Sequence, residues 1–201
     1  MPASPSTARM FVALVPPDDV TAYLAGRLDG ADVEVAGLRW TARQNWHVTL
    51  AFLAAVPRTR VESAVAELTE VVREAEPFVL RLTGPGAFPR PARAGVVWAG
   101  ADGASADDAR ALARLAKHVR IGLRRARLRP DRTPFRPHLT LARVRPAADV
   151  TRVVEHLARE PDPDIAPDWA VSHVQLVESR LGAGADGTAS YAAVATLALG
   201  R

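Results

Sequence analysis

Cysteine is absent from the 201 residues, and lysine occurs only once, at Lys117. The lack of cysteine excludes disulfides, thiolate metal sites and cysteine nucleophiles. The phosphate-loop pattern G-x-x-x-x-G-K-[ST] is missing as well. Lys117 lies in the helical run RLAKHVR, without the glycine-bearing loop expected around a lysine nucleophile. These absences argue against ATP-dependent nucleic-acid ligation.

Long apolar runs are also lacking, since no segment approaches the ~18 uninterrupted apolar residues that span a bilayer. The start, MPASPSTARM, contains no apolar stretch of the kind found in signal peptides. We therefore expect no membrane association and a cytoplasmic location. Hydrophobic residues make up 48% of the chain, enough for one core or for two small lobes that share it. We expect a single domain over residues 1–201, with a loose N-terminal tail at residues 1–8.

Positive charge is concentrated in one segment. Residues 1–100 are neutral, and the net charge of +4 comes from the second half of the chain. Residues 120–145 contain a single acid, Asp131, and nine arginines: Arg120, Arg124, Arg125, Arg127, Arg129, Arg132, Arg136, Arg143 and Arg145. Such a run either attracts nucleic-acid phosphates or forms an ordinary solvated helix face, and charge alone does not separate the two.

Helical and strand patterns alternate in both halves of the chain. Apolar spacing predicts helices over residues 17–28, 61–72, 112–123 and 150–157, with capping-box spacing at Ser105 and Asp108 before the third. Strands are predicted at 10–15, 46–53, 78–82, 96–99, 135–144, 170–177 and 191–199, with loops at 84–91 and 182–187.

Two of the predicted strands contain the same motif. The first motif is His47-Val48-Thr49-Leu50 and the second is His138-Leu139-Thr140-Leu141. Alternate side chains of a strand share a face, so each histidine and its threonine point the same way. Histidine exchanges a proton near neutral pH, and a threonine hydroxyl can donate to a phosphate oxygen. Either histidine alone would be read as a half-buried strand residue, whereas the repeated pair indicates phosphate-ester chemistry.

The remaining histidines, His118, His156 and His173, lack this context and are predicted to be structural or exposed. No H-E-x-x-H motif or Cys/His cluster occurs, and no acidic partner lies near either motif. We therefore expect neither a metal nor a cofactor.

The segments FVALVPPDDV, NWHVTLAFL and FRPHLTLARVR resemble the 2H phosphoesterase superfamily, more narrowly its LigT-type bacterial RNA 2′,3′-cyclic phosphodiesterases, also called 2′-5′ RNA ligases. The resemblance runs from about residue 9 to 199 and includes the GAFP segment, the VVWAG strand and the strand at Tyr191. It implies an α+β fold with two pseudo-symmetric lobes, each with an antiparallel sheet and helices, and an active-site groove between them.

The resemblance also implies roles for single residues. His47 would protonate the leaving ribose oxygen, and His138 would take a proton from the attacking water. Thr49 and Thr140 would bind the phosphate, and the family's arginine five residues after the second histidine falls on Arg143. Strict strand alternation would place Arg143 on the face opposite His138, so a bulge or strand end near Ala142 is needed.

Three functions follow from this reading. The first is metal-independent hydrolysis of RNA 2′,3′-cyclic phosphate ends to 2′-phosphates. The second is ATP-independent 2′-5′ RNA ligation through the same site, and the third is non-catalytic binding of RNA ends. The expected partner is an RNA or oligonucleotide with a 2′,3′-cyclic phosphate end, although a small cyclic nucleotide fits the sequence equally well. We expect the chain to act as a monomer.

Overall fold

The computed structural model describes residues 6–29, 34–159, 167–184 and 189–200. The helices within these ranges are α1 (Asp18–Leu28), α2 (Val61–Arg73), α3 (Ala106–Arg125) and α4 (Thr151–Ala158). The strands are β1 (Thr7–Leu14), β2 (Leu38–Trp40), β3 (Val48–Pro57), β4 (Phe78–Arg90), β5 (Arg93–Gly103), β6 (His138–Ala148), β7 (Trp169–Val171), β8 (His173–Arg180) and β9 (Ser190–Ala198). All four predicted helices are confirmed.

The strands form one antiparallel sheet with two halves. The first half-sheet consists of β3, β1, β8 and β9, and the second consists of β6, β5, β4 and β7, with β2 also on β6. The halves meet where Val48 of β3 pairs with Leu139 of β6. Outward from this junction each half has four strands, and each junction strand carries one motif. The predicted α+β fold with two pseudo-symmetric halves is therefore confirmed.

The sheet curls, as the path of the chain around Ser172 shows. Strands β7 and β8 are separated by this one residue, yet β7 pairs with β4 of the second half-sheet and β8 with β1 of the first. The two half-sheets must therefore approach each other again at Ser172. The prediction of one strand over residues 170–177 is wrong, because its apolar pattern continues across the point where the chain changes half-sheets.

The helices pack on one face of the sheet and form a main core with residues of both halves. Helix α3 buries Leu112, Leu115, Ala116, Val119 and Leu123, and the Ser105 hydroxyl caps it by accepting from the Asp108 backbone N–H at 3.2 Å. A Cβ at Gly122 would lie 2.9 Å from Val71 Cγ2. Glycine therefore allows α3 to approach α2 closely.

The prediction of a loop at 84–91 is wrong for most of that segment, because β4 continues to Arg90. Strand β7 covers β4 only at Phe78–Leu80, so the remainder of β4 is hydrogen-bonded on one edge. Prolines are tolerated on such an edge, where no ladder donor is required of them. A Cβ at Gly86 would overlap the Trp98 indole, so glycine at this position leaves room for that ring.

Other strand assignments also differ from the predictions. Thr7 and Ala8 belong to β1, so the tail prediction is wrong for these residues, and residues 1–5 lie outside the described ranges. Strand β6 begins at His138 rather than at residue 135, because Pro137 has no N–H for a ladder. Strand β2 was not predicted. Part of the predicted loop at 182–187 also lies outside the described residues.

Candidate active site

The Val48–Leu139 pair sets the geometry of the two motifs. Val48–Leu139 is the bridge between β3 and β6. Continuing its antiparallel register would set His47 opposite Thr140 and Thr49 opposite His138. Thr49 and His138 accordingly line the same pocket. In that register the two histidines would lie on one diagonal, with Cα atoms roughly 8 Å apart for regular ladder spacings. Val48, Leu139 and Leu141 are buried, so the imidazoles and threonine hydroxyls of both motifs lie on the opposite face of the sheet.

Both imidazoles are held by the same backbone contact. His47 Nδ1 lies 2.7 Å from the Asn45 carbonyl oxygen, and His138 Nδ1 lies 2.6 Å from the Arg136 carbonyl oxygen. A carbonyl oxygen only accepts, so Nδ1 carries the hydrogen in both rings. The Nε2 atom of each neutral ring is thereby left as the acceptor. The duplicated sequence thus produces a duplicated tautomer.

Aromatic rings surround each histidine on the sheet face turned away from the main core. The Phe11 ring stacks on His47 with 4.4 Å between centroids, and Tyr191 meets His47 edge-on at 5.5 Å. Phe88 meets His138 edge-on at 5.0 Å, and Trp98 lies 6.2 Å from the same ring. These rings restrict how each imidazole can rotate. The segments that carry these rings are recognisable in the sequence, but no pattern in them indicates a role for the rings.

The electrostatics of the two histidines differ in degree. Burial lowers the pKa of His47 to about 4, against the opposing effect of the Asn45 carbonyl, and the charges of Arg143 and His138 add to the lowering. Burial also lowers the pKa of His138, again with a contribution from Arg143. Both rings are therefore mostly neutral near pH 7 in the free protein. An anion between them would favour the protonated form of either ring.

A bulge in β6 determines where Arg143 points. Pairing with β5 passes from Trp98–Thr140 directly to Val97–Ala142, so one β6 residue, Leu141, is inserted. Leu141 and Ala142 are both buried, and Arg143 is exposed on the same face as His138. The bulge required by the sequence argument is present at this point. The charge of Arg143 acts on both histidines from there.

Strand β3 has a matching bulge. Its pairing with β1 passes from Ala13–Thr49 to Val12–Ala51, so Leu50 is inserted. The residue five positions after His47 is therefore Phe52, in the place that Arg143 occupies in the second motif. The Arg9 guanidinium lies 4.3 Å from the centroid of the Phe52 ring.

Each bulge leaves a backbone carbonyl that a group from elsewhere in the chain contacts. Arg120 Nε donates to the Leu50 oxygen at 3.3 Å, and the Thr41 N–H donates to the Leu141 oxygen at 2.7 Å. Arg120 also donates to the Asp131 backbone oxygen at 3.1 Å, and Asp131 N–H donates to the Phe52 oxygen at 2.8 Å. These contacts tie the connection between α3 and β6 to the first motif. In the sequence, Arg120 is visible only as part of a charged run, and nothing there indicates this contact.

A cavity of about 300 Å³ opens beside the motifs, at the lower end of small-molecule pocket volumes. It is lined by Thr49, Phe88, Arg120, Asp131, Thr133, Pro134, Phe135, Arg136 and His138. The Arg136 guanidinium lies 6.0 Å from the Phe88 ring centroid. The cavity therefore offers aromatic surface, two guanidinium groups and a carboxylate next to one motif histidine and one motif threonine.

The remaining predicted residues lie elsewhere. The arginines of the run lie on different elements: Arg124 and Arg125 are exposed in the last turn of α3, where cations are favoured by the helix dipole, and Arg143 is exposed on β6. His118 and His173 are exposed, and neither they nor the half-buried His156 line the cavity or contact the motif histidines.

Two negative findings concern only the described ranges. Within them, no three His, Asp or Glu side chains come together as a potential metal site. No helix described there combines the length and apolar character needed to cross a bilayer.

Comparisons with known proteins agree with this architecture. A sequence model of the 2′-5′ RNA ligase superfamily matches residues 16–183. The RNA 2′,3′-cyclic phosphodiesterase of Aeropyrum pernix is 34% identical over 138 residues, which cover 69% of this chain and 74% of that protein. The Thermus thermophilus protein of the same name is 31% identical, with 86% and 82% covered. The crystal structure of Escherichia coli LigT with 3′-AMP superposes with a TM-score of 0.74 at 25% identity, covering 98% of this chain and all of that one. The chain therefore belongs to the 2′-5′ RNA ligase superfamily, among the LigT-type 2H phosphoesterases.

Proposed function

We propose that the chain hydrolyses 2′,3′-cyclic phosphate ends of RNA to 2′-phosphates, using His47 and His138 and no metal ion. The observation that carries the proposal is the Val48–Leu139 bridge, which brings the two motifs side by side, with Thr49 and His138 lining one cavity. Its register gives a crossed arrangement, in which each histidine would face the other motif's threonine. The curated relatives that the chain resembles are named RNA 2′,3′-cyclic phosphodiesterases, which agrees with this substrate. The adjoining cavity is a suitable place for the terminal nucleoside.

The chemistry is a displacement at phosphorus. Water attacks the phosphorus atom, the bond to the 3′ oxygen breaks, and the phosphate stays on the 2′ oxygen. Attack and departure take place on opposite sides of the phosphorus, and imidazoles on opposite corners of the site can serve one side each. Thr49, Thr140 and Arg143 would hold the phosphoryl oxygens as their charge develops.

In this mechanism His138 Nε2 accepts the proton of the attacking water, and His47 Nε2 donates a proton to the departing 3′ oxygen. The assignment follows the family resemblance. Electrostatics in the free protein favours the first proton on His138, because the pKa of His47 is lowered to about 4. The negative phosphate must therefore raise the pKa of His47 when substrate binds.

Ligation is the second candidate, because the family is described by it. An RNA 5′-hydroxyl that attacks in place of water would produce a 2′-5′ linkage by the same displacement, without ATP. A purely binding role is less well supported, since phosphate binding needs donors and does not require two imidazoles with free Nε2 atoms.

The decisive experiment is product analysis on an oligonucleotide that ends in a 2′,3′-cyclic phosphate. We expect a 2′-phosphate product, formed equally well after exhaustive treatment with EDTA. A 3′-phosphate would contradict the proposed displacement, and loss of activity that a divalent ion restores would contradict metal independence. An oligonucleotide with a free 5′-hydroxyl, added in excess, tests for ligation.

The acid and base are distinguished by a substrate whose leaving group needs no protonation. Such a substrate should restore activity to His47→Ala but not to His138→Ala. Restoration of the opposite variant would reverse the two roles and leave the two-histidine mechanism intact. A pH profile alone cannot make this distinction, because its apparent pKa values belong to the coupled pair.

A further inference from the structure

Strand β2 brings a second arginine beside Arg143. Arg39 of β2 is the direct partner of Arg143 in the β2–β6 ladder. Directly opposed residues of an antiparallel pair place their side chains on the same face of the sheet. Arg143 is on the His138 face because of the Leu141 bulge, so Arg39 lies on that face as well. Both side chains are exposed.

The position of Arg39 is fixed by the backbone. The Arg145 N–H donates to the Gly37 oxygen at 3.0 Å, just before β2, and the Thr41 N–H donates to the Leu141 oxygen just after it. Gly37 has φ +75, and a Cβ there would overlap the Arg145 carbonyl oxygen. A glycine is therefore required for β2 to approach β6 so closely. Arg39 is presented by an anchored strand rather than by a free loop.

Two arginines in this position repel each other. Like charges directly opposite in a ladder are destabilising. Neither guanidinium forms an ion pair with a carboxylate among the residues that the structure describes. An anion bound between or beside them would remove the repulsion. The pair therefore has the charge and exposure expected of a phosphate-binding surface next to the reacting groups.

The spacing suits a second phosphate. Arg143 is three residues beyond Thr140, about 10 Å along a regular strand, and its side chain can reach back toward the phosphate held by the threonines. Arg39 is across the ladder from Arg143, farther from Thr140. In RNA with a cyclic phosphate end, the next phosphate is attached to the 5′ oxygen of the terminal nucleoside. It lies one nucleotide from the reacting phosphorus.

We propose that Arg39 binds the phosphate on the 5′ oxygen of the terminal nucleoside, so that the site favours oligonucleotides over cyclic mononucleotides. This inference rests on the proposed function for its substrate class. It assigns to β2 a role in recognising the strand, separate from the chemistry at the motifs.

The test uses three substrates with one terminal nucleoside: a nucleoside 2′,3′-cyclic phosphate, its 5′-phosphorylated form, and an oligonucleotide with the same cyclic end. We expect Arg39→Gln to lower kcat/KM for the two substrates with a 5′ phosphate about 5–20-fold more than for the first. The slope of affinity against salt for the oligonucleotide should fall by about one. Arg39→Lys should restore part of the difference, because it retains the charge. Arg114→Gln is the matched control, since this exposed arginine lies on α3, on the helix side of the sheet.

Equal losses on all three substrates, or no loss on any, would overturn the proposal. A binding measurement keeps this test separate from catalysis. Calorimetry should show that Arg39→Gln weakens the binding of a nucleoside 2′,5′-bisphosphate but has little effect on the binding of the 2′-monophosphate. If wild-type protein cleaves none of the three substrates, the proposed function fails, and the bisphosphate comparison still decides the role of Arg39.

Discussion

The two motif strands have the same backbone design and differ in chemistry five residues after the histidine. Each has a histidine anchored at Nδ1 and a bulge three residues later. After the bulge, β3 presents Phe52, beneath the Arg9 guanidinium, whereas β6 presents Arg143. The surroundings also differ, since His47 stacks closely on Phe11 and His138 borders an open cavity.

Some features are repeated in both motif strands, and others are found in only one of them. The repeated features place two imidazoles and two hydroxyls on one face of the sheet, in neighbouring strands. The feature found in only one strand is charge: burial lowers the pKa of both histidines, and the Arg143 cation adds to that lowering. A site with two equivalent halves would treat both sides of a phosphate alike. Here the second half supplies the guanidinium and the histidine that lines the cavity, and the first half supplies the more buried imidazole.

The largest expected effect would break the shared part of the design. His47→Ala or His138→Ala should each lower turnover by ~10²–10⁴, because each removes a general acid or base. His118→Ala is the control, since this exposed helix residue is remote from the motifs. Steady-state kinetics on a cyclic phosphate oligonucleotide measures all three. Near-normal turnover in either motif variant would exclude a two-histidine mechanism.

The second effect tests the charge of Arg143, which has no counterpart in the first motif strand. Arg143→Gln should lower kcat/KM by about 10–100-fold, the loss expected when a charged hydrogen bond to a phosphate is removed. Phe52→Leu, at the equivalent place in the first strand, should change kcat/KM by less than about threefold, because it alters packing without altering charge. Similar losses in the two variants would mean that the fifth position matters for structure rather than for phosphate binding.

The third effect concerns stability in acid. Burial lowers the pKa of His47 to about 4, whereas histidine in the unfolded chain titrates near 6.5. Between these values the unfolded chain binds the proton first, so the free energy of unfolding decreases as pH falls from about 6.5 to about 4. Wild type should lose about 2 kcal/mol between about pH 7 and pH 4.5 that His47→Gln does not lose.

His138→Gln is the comparison variant for this measurement. The pKa of His138 is also lowered but the ring is less enclosed, so its replacement should remove a smaller part of the acid sensitivity. Carboxylates contribute equally to both variants and cancel in the difference. Denaturant unfolding at the two pH values gives the free energies. If His138→Gln removed more of the acid sensitivity than His47→Gln, burial would lower the pKa of His138 more than that of His47.

The smallest effect tests how the two bulges are held. The Leu50 oxygen depends on a side chain, Arg120, whereas the Leu141 oxygen accepts from the backbone of Thr41. Arg120→Met should therefore destabilise the fold by about 1–2 kcal/mol and loosen the first motif. Arg124→Met removes an equal charge from the exposed end of the same helix and should have little effect. Equal stability of the two variants would show that Arg120 does not support the bulge.

Local pattern was enough to predict the helices and the two motifs, whereas the α+β class was implied by the family resemblance. The His47 and Thr49 pair and its repeat could be read from alternation within single strands. The crossed arrangement could not, because it depends on the Val48–Leu139 register between segments 91 residues apart. Strand β2 was missed because three residues carry no periodicity, and Arg39 was missed with it. A bulge such as that at Leu141 changes the face of the sheet on which the following side chains lie, and no distinctive sequence marks its position.

The order of the strands has a consequence for synthesis of the protein. Most of the second half-sheet comes from one continuous stretch, residues 78–148, and its pairing is largely between neighbours in sequence. The first half-sheet combines β1 and β3 with β8 and β9, which follow only after that whole stretch.

A nascent chain can therefore form most of the second half-sheet, which carries Arg143, while one edge of β1 is still unpaired. Long-range pairing of this kind is slow, and an open edge favours association with other chains. Tyr191, which contacts both His47 and Phe11, arrives with β9. The surroundings of His47 are thus among the last parts of the protein to be assembled.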